Sequence, residues 1–133
     1  MTFVNRSFTM RLLLSVFTTI ALISLGKPVR AEVNLVMVEQ PGCAYCAAWD
    51  DQIAPAYPNT QEGRFAPLIR ADLHMGPPDG ITYARRVNFT PTFILIDDGL
   101  EIARIEGYPG ENFFWPVFSQ LLQQKTGFEP ATQ

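Results

Sequence analysis

The sequence predicts an α/β domain: a mixed four-stranded sheet, reached in the order β-α-β-α-β-β-α, with helices on both faces. Three observations carry that prediction. Residues 33–39 are almost continuously apolar, as in a strand buried on both sides. Directly after them the apolar spacing lengthens to three and four, the period of a helix. Asp98-Gly99 then separates two further strand-like runs, a strong two-residue hairpin signal. Strands joined through a helix favour parallel pairing with a right-handed crossover, whereas strands joined by such a turn pair antiparallel.

The elements follow in order. Residues 33–39 are rich in β-branched side chains, and Gln40-Pro41-Gly42 stops the strand. Cys46, Trp49, Ile53 and Tyr57 then fall on one helical stripe, and Pro55 and Pro58 end that helix. Residues 65–72 read as a second strand, which Pro67 pushes towards a sheet edge. Residues 74–80 hold two prolines and two glycines and form a loop, after which Asp79 caps a short helix running to about Val87. Residues 92–97 and 100–106 form the hairpin. A final helix spans residues 112–125, with Phe114, Phe118 and Leu121 on one face and Pro116 disturbing its start.

Composition narrows the functions. The chain has 133 residues, 47% hydrophobic and 17% charged, with a formal charge of −3, which suits one globular domain and not a disordered tail. Residues 1–31 read as a signal peptide. Arg6 and Arg11 supply a positive start, residues 12–25 form an apolar and hydroxyl-bearing run, and Val29-Arg30-Ala31 marks cleavage after Ala31. As a helix that run spans about 21 Å, short of a hydrocarbon core about 30 Å thick, so an uncleaved anchor is the weaker reading. Cleavage leaves six basic residues against thirteen acidic ones. Such an acidic, exported domain repels polyanions, so nucleic acid is excluded as a partner, and no stable membrane insertion is expected. Export also places both cysteines where a disulfide persists.

Cys43-Ala44-Tyr45-Cys46 is the constellation that carries chemistry. It opens a helix directly after a strand and a Pro-Gly stop, where unpaired N–H groups and the helix dipole favour a thiolate. Cys43 is therefore the expected nucleophile, while Cys46, on the stripe of Trp49 and Ile53, faces the core as the resolving thiol. Haem attachment fails because residue 47 is alanine, and a closed zinc site fails because His74 is the single histidine and no further cysteine exists. No metal ligands and no cofactor beyond the cysteine pair are expected. A purely structural disulfide closes only a few residues and stabilises little. Copper delivery lacks a well-placed His or Met beside the pair.

Strand, Cys-x-x-Cys at a helix start, and then Asn88-Phe89-Thr90-Pro91-Thr92-Phe93 before a strand and hairpin resemble the thioredoxin family across residues 33–125. That resemblance implies a thioredoxin-like domain over residues 32–133, acting on protein thiols or disulfides. It also implies that Pro91 is cis beside the cysteines, exposing the backbone of Thr90 to pair with an extended substrate strand. The chain departs from the family pattern in having Gly42 before the first cysteine and Ala44-Tyr45 between the two. Met37 stands where thioredoxins keep a buried acid, six residues before Cys43. Glu39 points to the same face by strand alternation and is a candidate proton relay to Cys46, against the simpler reading of a rim carboxylate.

Cys43-x-Tyr45-Cys46-x-x-Trp49-Asp50, followed by Ile53-Ala54-Pro55, Tyr57, Glu62-Gly63, Ala66-Pro67-Leu68 and Asp72, resembles more narrowly the exported thioredoxins encoded with bacterial sulfur-oxidation (Sox) proteins. This implies a periplasmic reductant that keeps the cysteine of a sulfur-carrier protein active and receives electrons through a membrane thiol transporter. A disulfide-forming oxidase and a non-catalytic binding module with a structural disulfide are the alternatives. Tyr45, Pro41, Thr90 and Tyr108 are expected to form an apolar collar around Cys43 that docks the partner. Trp49 and Trp115 are expected in the core, Arg85 and Arg86 on a solvated face, and His74 in a loop.

Overall fold

A computed structural model describes residues 32–131, so the predicted signal peptide lies outside the described residues. β1 (Val33–Glu39) is the run read as a buried strand, and it lies inside the sheet, whose order is β2-β1-β3-β4. β2 (Leu68–Asp72) pairs with it in parallel from the edge that Pro67 favours, and β3 (Thr92–Asp97) pairs on its other side antiparallel. With a neighbour on each side, β1 sends Val33, Leu35 and Met37 into one apolar cluster and Val36 and Val38 into another. β4 (Leu100–Glu106) completes the sheet as a hairpin with β3. Its turn residues Asp98 and Gly99 have φ of 49° and 80°, the left-handed pair that a tight hairpin turn needs.

α1 (Ala44–Gln52) and the turn after it bury Cys46, Trp49, Ile53 and Tyr57, the predicted stripe. Tyr57 lies in a 3₁₀ turn (Tyr57–Asn59) that leads into α2 (Gln61–Phe65), so β2 starts three residues later than residue 65. The reason is local capping: Thr60 Oγ1 accepts from the Gly63 N–H at 2.9 Å and starts a helical turn that runs through Phe65. Gly63 sits so close to the Tyr57 carbonyl that a Cβ there would lie 1.8 Å from its oxygen. α3 (Glu111–Lys125) places Phe114, Phe118 and Leu122 in the core, with Pro116 inside it; Leu121 is only half-buried. The four-residue step from 114 to 118 to 122 keeps those three on one stripe. Trp49 lies 5.4 Å from Phe93 and 5.8 Å from Phe114 between ring centroids, at the centre of this cluster. Trp115 is partly buried against it.

The helix predicted over residues 79–87 does not form, and this corrects the expectation of helices on both faces. Among the described residues, α1, α2 and α3 all pack on the face of Leu35 and Met37. The opposite face, with Val36, Val38, Ile94 and Ile96, is covered by irregular chain between β2 and β3 that contributes Val87, Ile81 and Tyr83. Its backbone groups are taken elsewhere. The Thr82 N–H donates to the Gly99 carbonyl at 2.8 Å, and the Thr82 carbonyl accepts from Glu101 N–H at 3.1 Å. Ala84 N–H donates to Glu101 Oε2 at 2.8 Å, and Arg104 Nη2 donates to the Arg85 carbonyl at 2.9 Å. A helix would need those groups for itself.

Candidate active site

The cysteine pair stands where β1 ends. Gly42, with φ of 77°, turns the chain, and Cys43 becomes the N-cap of α1. Its Sγ accepts from the Cys46 N–H at 3.2 Å, and its carbonyl accepts from Ala47 N–H at 3.1 Å. A sulfur in that position looks along the first-turn amides, where the helix dipole stabilises negative charge. Cys43 and Cys46 are joined as a disulfide. The two sulfurs differ in access: Cys43 is half-buried, whereas Cys46 is 4% exposed and packed in the core cluster. An open depression beside them is bordered by Glu39, Gln40, Cys43, Cys46, Ala47 and Asp50.

The segment before β3 is tied to this corner. Gln40 Nε2 donates to Thr90 Oγ1 at 2.9 Å, linking the turn before Cys43 to a residue fifty positions away. The Thr90–Pro91 peptide is cis. Pro91 is buried, and its carbonyl accepts from Gly107 N–H at 2.8 Å. Thr90 is half-buried, Pro41 is exposed, and Tyr45 projects into solvent at 65% exposure.

Tyr108 departs from the expected collar. It is 7% exposed, donates its hydroxyl to Gln52 Oε1 at 2.7 Å and meets the Phe114 ring edge-on. Burial pushes its phenol up. Tyr108 therefore links α1 to α3 from within the core cluster. Phe89, one residue before Thr90, is exposed at 61% and was not singled out by the sequence, because a lone aromatic in a loop carries no periodic signal.

Met37 is fully buried, so no ionisable group reaches the cysteines from the position where the family keeps an acid. Glu39 lies at the rim. Its Oε2 accepts from Arg70 Nη1 at 2.8 Å, while Arg70 Nη2 donates to Asp50 Oδ1 at 2.6 Å. The guanidinium also lies 5.9 Å from the Trp49 ring centroid. Hydrogen bonding to Asp50, and then to Glu39, holds the Arg70 guanidinium above its ordinary value against the opposing effect of burial. Arg70 was invisible to the sequence reading, since a single cation in an edge strand looks like a solvated residue. The available signal was Asp50, one helical turn beyond Cys46. Among the described residues, no group of three or more His, Cys, Asp and Glu side chains is arranged to hold a metal ion.

The thioredoxin-like domain family matches residues 30–122. Among solved structures, the periplasmic thioredoxin SoxS from Paracoccus pantotrophus, in its reduced form, is 54% identical. That match has a TM-score of 0.68 and covers 70% of this chain and 98% of the other. Thioredoxin-2, a component of the malaria parasite protein secretion machinery, is 18% identical with a TM-score of 0.50, covers 72% of this chain and 89% of its own, and supports the fold alone. No curated protein matches the chain. The chain belongs to the thioredoxin family, and with its Cys43-x-x-Cys46 pair it is a thiol–disulfide oxidoreductase.

Proposed function

We propose that this protein is a periplasmic reductant that opens disulfides or cysteine adducts on a partner protein, a sulfur carrier of sulfur oxidation being the favoured partner class. The observation that carries the reading is the unequal access of the two sulfurs, one at a helix mouth and one in the core. The 54% identity to the periplasmic thioredoxin SoxS, over nearly all of that chain, supports the compartment.

In the reduced pair, the Cys43 thiolate attacks a partner disulfide; the first partner sulfur leaves with the electron pair and a mixed disulfide forms. Cys46 then attacks Cys43 Sγ, the bond to the partner breaks, and the second partner sulfur leaves as a thiolate. Two electrons pass from the cysteine pair to the partner, and a dithiol donor, such as a membrane thiol transporter, returns them. Thr90 and Pro91 present backbone groups to an extended partner strand, with Tyr45 as an apolar contact. Glu39 serves as a proton relay for Cys46. No cofactor beyond the cysteine pair takes part. Residues 1–31 direct export and are cleaved after Ala31.

The test combines turnover with trapping. Insulin reduction falls to the uncatalysed background in Cys43→Ser, and Cys46→Ser accumulates a mixed disulfide with the natural partner. The mass of that trapped species also reads the mature start at Glu32. If both variants reduce insulin at the parental rate, the assignment of the chemistry to this pair is lost.

A further inference from the structure

A buried resolving thiol needs a proton acceptor, and in this chain the core side of Cys46 offers none. Burial disfavours the thiolate, and Met37 fills the neighbouring core position. The ionisable groups bordering the depression that Cys46 lines are Glu39 from β1 and Asp50 from α1. Arg70 from β2 joins them, and Asp72 follows further along β2, beside the adjoining depression. Asp50 lies one turn beyond Cys46 on the same side of α1. Arg70 occupies one oxygen of each carboxylate, and the second oxygens, Glu39 Oε1 and Asp50 Oδ2, make no hydrogen bond among the described residues.

We propose that Arg70 is a positioning residue of the resolving step: it clamps Glu39 and Asp50 beside Cys46 so that this carboxylate pair takes the Cys46 proton. The inference rests on the exchange reading of Cys43 and Cys46 and adds Arg70 and Asp50 to it. In the mixed disulfide, the Cys46 proton passes to the pair and the thiolate attacks Cys43 Sγ. The Cys43–partner bond breaks, and the partner sulfur departs with the electron pair and recovers a proton from the carboxylates. Without Arg70 neither carboxylate keeps the bond that fixes it beside the depression lined by Cys46.

Reduced full chain mixed with 5,5′-dithiobis(2-nitrobenzoate) tests this in one trace. The first release of thionitrobenzoate reports attack by Cys43, and the second reports resolution by Cys46. The Glu39→Gln/Asp50→Asn double variant slows the second phase by ~10–100-fold at neutral pH. Arg70→Met slows the second phase by ~3–10-fold and leaves the first phase unchanged, and Arg70→Lys restores part of the rate. A second phase within about twofold of the parent in the double variant, with an unchanged pH profile, overturns the proposal. A first phase no faster than that of an ordinary free thiol overturns the exchange reading itself, so the two failures are separable.

Discussion

On one face of the sheet, Leu35, Met37, Phe93 and Leu95 lie beneath α1 and α3, whose Trp49 and Phe114 rings meet across the core. On the other, Val36, Val38, Ile94 and Ile96 lie beneath chain that forms no helix. A helix pairs its own backbone groups, so its cover can be made of apolar side chains alone. Irregular chain must borrow partners, and here β4 lends them. The Glu101 and Arg104 side chains, each 4% exposed, form an ion pair at 2.6 Å and also reach the Ala84 N–H and the Arg85 carbonyl. The first face is thus held by packing under helices, whereas the second adds a buried charge pair to its apolar packing. The cysteine pair rides on the packed face, with Cys46 inside the same cluster as Trp49.

This contrast can be broken from either side. The largest effect is expected from Phe114→Ala, which removes a ring touching Trp49, Phe93 and Phe118; it should cost about 4 kcal/mol in denaturant unfolding and spread through the whole transition. If the loss stays below about 1 kcal/mol, the packed face is not what holds the domain together. Arg104→Met leaves Glu101 buried without its cation and should cost about 3 kcal/mol. Unlike the first change, it should raise amide exchange mainly at Thr82 and Ala84, and uniform exchange across both faces would contradict the division.

The smallest effect sharpens the same point through pH. Burial pushes the Glu101 carboxyl up, but its bonds to Arg104 and the Ala84 N–H prevail and hold it below the usual carboxylate range. Its contribution to stability is therefore complete above the unfolded carboxylate value of about 4.3 and is lost as pH falls through the lower folded value. Protection of the Ala84 amide, relative to its intrinsic exchange rate, should fall in that acidic window before the amides of β1 respond. Simultaneous loss of both would show that the second face has no separate sensitivity.

Much of the molecule could be read directly from residue order. β1, the stripe of Cys46, Trp49 and Ile53, the Asp98-Gly99 hairpin and the cysteine pair at a helix mouth are all local patterns, written in neighbours a few positions apart, whereas the helix stops at Gln52 and Tyr57 belongs to a separate 3₁₀ turn. Their outcome depends on periodicity and turn geometry, which any short window contains. The failed helix at residues 79–87, the sunken Tyr108 and the Arg70 clamp share the opposite origin. Each was settled by a partner far along the chain: Gly99 and Glu101 for Thr82, Gln52 for Tyr108, and Glu39 and Asp50 for Arg70. A backbone amide or a charged side chain goes to whichever acceptor the assembled sheet brings within reach, and that acceptor exists only after folding has placed it there.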